Sequence, residues 1–137
     1  MNRVSVVLDT NLWISYLISK RLNRIEQLLY AEKVTLLFSE ELLNEFLEVA
    51  HRPKFRRYFS EARVTELLNI FDYFGKVVEV TSRVEECRDV KDNFLLSLAR
   101  DGKADYLVTG DDDLLNMRTF DATQIVSYRQ FEQEVKL

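Results

Sequence analysis

The sequence predicts an α/β domain of three layers, α/β/α, around a mostly parallel central sheet of about five strands. Short β-branched runs alternate along the chain with longer segments of helical period. Strands alternating with helices of ten or more residues imply βαβ units. Two of the runs, 4–8 and 106–109, are almost continuously apolar, as strands covered on both faces are. The 137 residues hold no repeat, low-complexity stretch or Gly/Ser linker, so one domain is expected across residues 1–137.

The predicted strands are 4–8, 34–38, 77–80, 106–109 and 124–126. A helix over 39–50 follows from the stripe Leu42, Leu43, Phe46, Leu47 and Ala50, with Ser39 as its N-cap. A second, over 60–74, carries Val64, Leu67, Leu68 and Phe71, and a third, over 93–100, carries Phe94, Leu95, Leu98 and Ala99 behind a cap at Asp92. Pro53 breaks the first of these helices and opens a short basic segment.

Composition narrows the chemistry. Apolar residues make up 47% and charged residues 31%, with Gly 3 and Pro 1, which builds a core and excludes a disordered chain. A single cysteine, Cys87, excludes a disulfide framework and a cysteine zinc cluster. A single histidine, His51, excludes a His–His metal site and argues against a histidine-centred triad. Any chemistry must therefore rest on carboxylates. The net charge of −4 argues against a general nucleic-acid coat or a polybasic membrane binder. It leaves room for an acidic cluster that divalent cations fill. The apolar run at 4–8 is too short for a signal-peptide core, and no stretch reaches the roughly 18 apolar residues of a membrane helix. A cytosolic protein without a membrane partner is the expectation.

In open parallel sheets, ligands gather beyond the carboxyl ends of the strands. Asp9 follows the first run and Asp111 follows the fourth, and these two most apolar strands are expected to be central neighbours. Asp92 belongs to a helix start on the same edge. Glu45 lies on the flank of its helix beside Leu42, whereas Glu41 and Glu48 point away from the apolar arc. Taken singly, Asp92 reads as a helix cap, Glu45 as a surface residue, and Asp111, Asp112 and Asp113 as a solvated turn capping the next helix. Asp9 is different, because packing gives no reason for an acid that closes a buried strand. Together, several acids on one edge repel each other unless a cation is present, and hard oxygen ligands select Mg2+ or Mn2+ over zinc.

Four motifs in order, Asp9-Thr10-Asn11, Ser39…Glu45, Asp89-x-x-Asp92-Asn93 and Thr109-Gly110-Asp111-x-Asp113-Leu114-Leu115, resemble the PIN domain over almost the whole chain. Within it they look like the VapC-like ribonuclease toxins of prokaryotic toxin–antitoxin pairs. The resemblance implies a Mg2+- or Mn2+-dependent endoribonuclease with an acidic tetrad of Asp9, Glu45, Asp92 and Asp111. It further implies Asp113 as a metal ligand beside Asp9, Asp92 and Asp111, and Asn11, Thr109 and Asp89 as supporting residues. Asp89 and Asp92 are open to exchanging roles. An RNA substrate, an antitoxin protein and a homodimer are the implied partners.

Such a site lowers the pKa of a bound water and offsets the charge of the phosphodiester. Arg52, Lys54, Arg56 and Arg57, interleaved with Phe55 and Tyr58, are the sequence's candidates for gripping RNA; a solvated helix face is the equal alternative. Trp13 and Tyr16 read as core or dimer contacts, His51 as a helix C-terminal charge, and Cys87 as a small hydrophobe. A haloacid-dehalogenase-type phosphatase needs a second acid where this chain has Asn11, and a phosphoacceptor receiver needs paired acids after its first strand. A non-catalytic PIN-like binding module predicts lost acids, yet all four positions are acidic.

Overall fold

The computed structural model describes residues 3–19 and 23–135. Its centre is the parallel pair β1 (Val4–Leu8) and β4 (Tyr106–Val108), in the register Val6↔Tyr106, Val7↔Leu107 and Leu8↔Val108. β2 (Val34–Phe38) and then β3 (Gly75–Val77) extend the sheet on one side. β6 (Thr123–Val126) and the two-residue β5 (Thr119–Phe120) extend it on the other. All pairings are parallel except β5 with β6. Val6, Val7 and Leu8 are buried in succession. Successive strand residues point to opposite faces, so both faces of the sheet are covered, as the apolar runs predict.

The covering helices are α1 (Thr10–Ser19), α2 (Asn23–Tyr30), α3 (Glu40–Ala50), α4 (Glu61–Phe74), α5 (Val90–Gly102), α6 (Asp112–Met117) and α7 (Tyr128–Glu134). Ser39 caps α3 through Leu42 N–H at 3.0 Å, and Ser60 caps α4. Phe71 of α4 gathers Trp13, Phe38 and Phe46 at ring-centroid distances of 4.5, 5.4 and 6.0 Å. Trp13 and Tyr16 are thus core residues. Among the described residues no helix is long and apolar enough to cross a membrane.

The structure departs from the sequence reading at several places: α1, α2 and α7 are helices it does not predict, and β3, β5 and the start of α5 differ from it. β3 covers Gly75–Val77 instead of 77–80. Val78 N–H still reaches Phe38 O at 2.8 Å, but then Asp101 takes the amides of Thr81 and Ser82 and peels the chain from β2. β5 went unpredicted because two residues carry no periodicity. The helix expected at 93–100 starts three residues earlier, so its N-cap is Asp89, which accepts from Lys91 N–H at 2.9 Å. Asp92 is not the cap; it sits in the first turn, buried.

α5 also holds the extended segment that precedes it. Asn93, Ser97 and Asp101, spaced four apart, face that segment as a polar stripe. Asn93 clamps both backbone groups of Cys87, Ser97 Oγ accepts from Val84 N–H, and Asp101 holds Thr81 and Ser82.

Two glycines give a paired test. A methyl at Gly75 would collide with the Phe38 ring and Phe71 O, whereas one at Gly110 meets nothing, and neither has a positive φ. Urea denaturation is expected to show Gly75→Ala destabilised by about 1–3 kcal/mol, and Gly110→Ala neutral or stabilised by up to about 1 kcal/mol. Equal stabilities would contradict the packing at Gly75.

Candidate metal centre

Four segments of the chain deliver acids to one edge of the sheet: the end of β1, α3, the start of α5 and the turn after β4. β1 ends at Leu8 and Asp9 follows it; Asp9 N–H still bonds Val108 O at 3.0 Å. Thr109, fully buried, donates its hydroxyl to Asp9 Oδ2 at 2.9 Å and accepts from Asp111 N–H at 3.1 Å. Asn11 N–H donates to Asp9 Oδ1 at 3.3 Å. Asp111 is the N-cap of α6, accepting from Asp113 and Leu114 N–H on its Oδ1.

Asp9, Glu45, Asp92 and Asp111 line one cleft of about 90 Å3, together with Asp89, Lys91, Thr10, Asn11, Leu42 and Leu95. Asp113 stands just outside it. Single carboxylate oxygens of Asp92, Asp111 and Asp113 lie within 4.8 Å of one another. Asp112 is exposed. Glu45 is half-buried, its Oε1 3.5 Å from Lys91 Nζ. Arg52, Lys54, Arg56 and Arg57 are exposed and none of them lines the cleft. Arg52 pairs with Glu48, while Lys54 and Arg57 lie over Phe55 and Tyr58. His51 caps α3 and bridges Leu47 O and Glu61.

Among the described residues, the basic side chains paired with these acids are Lys91 and Arg88, whose Nη2 contacts both oxygens of Asp113 at 3.0 and 2.9 Å. The sequence reading passed over them for the denser run at 52–57. Their signal was position: Arg88 directly precedes the third motif and Lys91 lies inside it.

The electrostatics separate the acids. Burial raises the Asp9 pKa and Asp111 adds to the rise, while the bonds from Thr109 and Asn11 oppose it. Asp92 is 4% exposed and its Oδ2 has no hydrogen-bond partner. Burial, with Asp111, Asp89, Asp9 and Asp113 around it, pushes its carboxyl up to about 6. An octahedral Mg2+ holds oxygens at about 2.0–2.1 Å, hence no more than about 4.2 Å apart. The Asp92–Asp111–Asp113 oxygens, within 4.8 Å of one another, are close to that span. An orphaned carboxylate oxygen and an all-oxygen donor set fit a hard divalent cation.

A family model described as PIN domain matches residues 5–113. The chain belongs to the PIN-domain family. It is 32% identical over 119 residues to the Methanocaldococcus jannaschii protein described as "Uncharacterized protein MJ1680", covering 85% of this chain and 76% of that protein. It is also similar to a chain in the crystal structure of VapBC2 from Rickettsia felis bound to a DNA fragment from their promoter. There the TM-score is 0.55 at 18% identity, over 89% of this PIN domain and 97% of that chain. At that identity the likeness is one of fold.

The raised Asp92 carboxyl gives a pH test. Its folded pKa exceeds the ordinary 3.8, so the stability it contributes is complete below about pH 4 and lost as pH rises through about 6. In EDTA, Asp92→Asn is expected to gain melting temperature relative to wild type between about pH 4 and pH 7. Added Mn2+ should narrow the gap by stabilising wild type only. A pH-independent difference would count against burial as the cause.

Proposed function

We propose that this PIN domain is a Mg2+- or Mn2+-dependent endoribonuclease that hydrolyses RNA phosphodiester bonds, as the toxin of a toxin–antitoxin pair. The observation that carries the reading is the unpartnered Asp92 Oδ2 in a cleft walled by Asp9, Glu45 and Asp111. A buried carboxylate is kept ionised only by a positive partner, and the described residues offer that oxygen none.

Asp9, Asp92 and Asp111 would hold the cation, with Asp113 as a further ligand. When bound, such an ion lowers the pKa of a water and offsets charge on the phosphate. Glu45, on the cleft flank, would orient the attacking water through its carboxylate. Thr109 and Asn11 fix the Asp9 carboxylate, and Asp89 fixes the start of α5, which sets the depth of Asp92. Arg52, Lys54, Arg56 and Arg57 would meet only RNA that extends past the cleft. The PIN-domain membership and the VapBC2-like fold support the nuclease and toxin reading and, with it, an antitoxin protein partner; a homodimer acting in the cytosol is part of the same proposal.

The test compares Asp9→Asn with Thr109→Val on single-stranded RNA and on DNA of the same sequence. Thr109→Val removes an outer-shell partner, so cleavage is expected to fall roughly 10–100-fold. Asp9→Asn removes a ligand and should fall further, losing Mn2+ binding in calorimetry as well. Cleavage that survives Asp9→Asn in purified protein, or a preference for DNA, would overturn the reading.

A further inference from the structure

The cleft poses a charge problem for any anionic substrate. Six carboxyl groups stand at it or on its rim, namely Asp9, Glu45, Asp89, Asp92, Asp111 and Asp113. Two cations answer them. Arg88 holds Asp113 at 2.9 Å, and Lys91 holds Glu45 at 3.5 Å. Both come from the same short stretch at the start of α5, on either side of Asp89, and each engages an outer acid instead of the buried Asp92. Their side chains are 88% and 68% exposed. Exposed ion pairs of this kind contribute little stability, so the cations exchange partners at low cost. The guanidinium offers several donors to a phosphate, and the ammonium a compact charge.

We infer that Arg88 and Lys91 are substrate-contact residues with two partners. Without substrate they neutralise Asp113 and Glu45; with RNA bound they grip the phosphates flanking the scissile one. The inference rests on the nuclease reading and locates the strand's grip at the start of α5, away from the basic segment 52–57. It has a thermodynamic signature. The same two cations that attract RNA also oppose a divalent cation, Arg88 by occupying Asp113 and Lys91 by its charge at the cleft, so removing them must shift metal and RNA binding in opposite directions. Loss of structure would weaken both together.

The test is the double variant Arg88→Met/Lys91→Met. Its control is Arg3→Met/Lys103→Asn, which removes two charges at the opposite end of the sheet, where Arg3 pairs with Glu32 and Lys103 follows α5 in a left-handed conformation that asparagine tolerates. Mn2+ binding by calorimetry should tighten about three- to tenfold in the double variant. Its KM for single-stranded RNA should rise about tenfold, more than kcat falls. The plot of log(kcat/KM) against log salt should flatten by about 1.4, roughly 0.7 for each phosphate that is no longer neutralised. Arg88→Lys/Lys91→Arg should recover most of the KM. A KM and salt slope equal to the control's, or weakening of Mn2+ and RNA together, overturns the inference and leaves the nuclease reading standing. A wild type that neither binds Mn2+ nor cleaves RNA removes both.

Discussion

One buried hydroxyl, that of Thr109, joins the two halves of the site. It donates to Asp9 Oδ2 and accepts from Asp111 N–H, so a single oxygen ties together acids about a hundred residues apart in sequence. It can do so because β1 and β4 are paired neighbours that end level, at Leu8 and Val108. The same bond decides how charge is shared. A donor to the ionised form favours ionisation, so Thr109 and Asn11 oppose the rise that burial imposes on Asp9. Asp92 has no such donor on its Oδ2, and it is the carboxyl driven highest. The site is therefore graded: at Asp9 two donors offset part of the rise that burial imposes, whereas Asp92 Oδ2 has none and is left dependent on a cation.

The fold tolerates this crowding by giving several acids a second, local use. Asp111 caps α6 and Asp89 caps α5. Carboxylates are favourable at both places because helix N-termini present unpaired amides. Asp111 serves both of its cap amides with Oδ1, which leaves Oδ2 to the cleft. Capping and ligation are thus compatible on one side chain. For Asp111 the reading as a turn acid that caps the next helix holds, whereas the cap expected at Asp92 is formed by Asp89.

Much of the frame was legible because it depends on local signals that the sequence displays directly. Continuous apolar runs marked the central strands; Ser39 and Ser60 marked helix starts. Asp9, Asp111 and Glu45 were placed at the strand edge by counting alone. The errors have a common physical origin. Asp89 and Asp92 are both acids near a helix start, and only the depth of the first turn, fixed by tertiary packing, distinguishes the cap from the buried group. The boundary of β3 depends on Asp101, a carboxylate on another element that captures backbone amides. No periodicity within residues 75–82 encodes that competition. Charge density drew attention to 52–57, whereas proximity, invisible in the linear order, puts Lys91 and Arg88 beside the acids.

The carriers of the acids differ in rigidity, and this bears on which of them position reacting atoms well. Asp9 and Asp111 hang from the ends of buried parallel strands, and Glu45 and Asp92 from helices packed on the core; supports of that kind place a group more sharply than loops do. The exception is the stretch leading into Asp89, which after Val78 has no ladder bond to the sheet. Its backbone amides are instead held by Asn93, Ser97 and Asp101 of the very helix it introduces. The position of Asp89, and of Arg88 beside it, is accordingly referenced to α5 and not to the sheet. Because α5 also carries Asp92 and Lys91, one helix sets the relative placement of a buried anion, its cap and both nearby cations. A shift of α5 against β4 would move these four as a unit while leaving Asp9 and Asp111 fixed by Thr109. The buried residues Leu95, Leu96 and Leu98 pack α5 into the core, and Glu45, carried by α3, stands on a third and separate support.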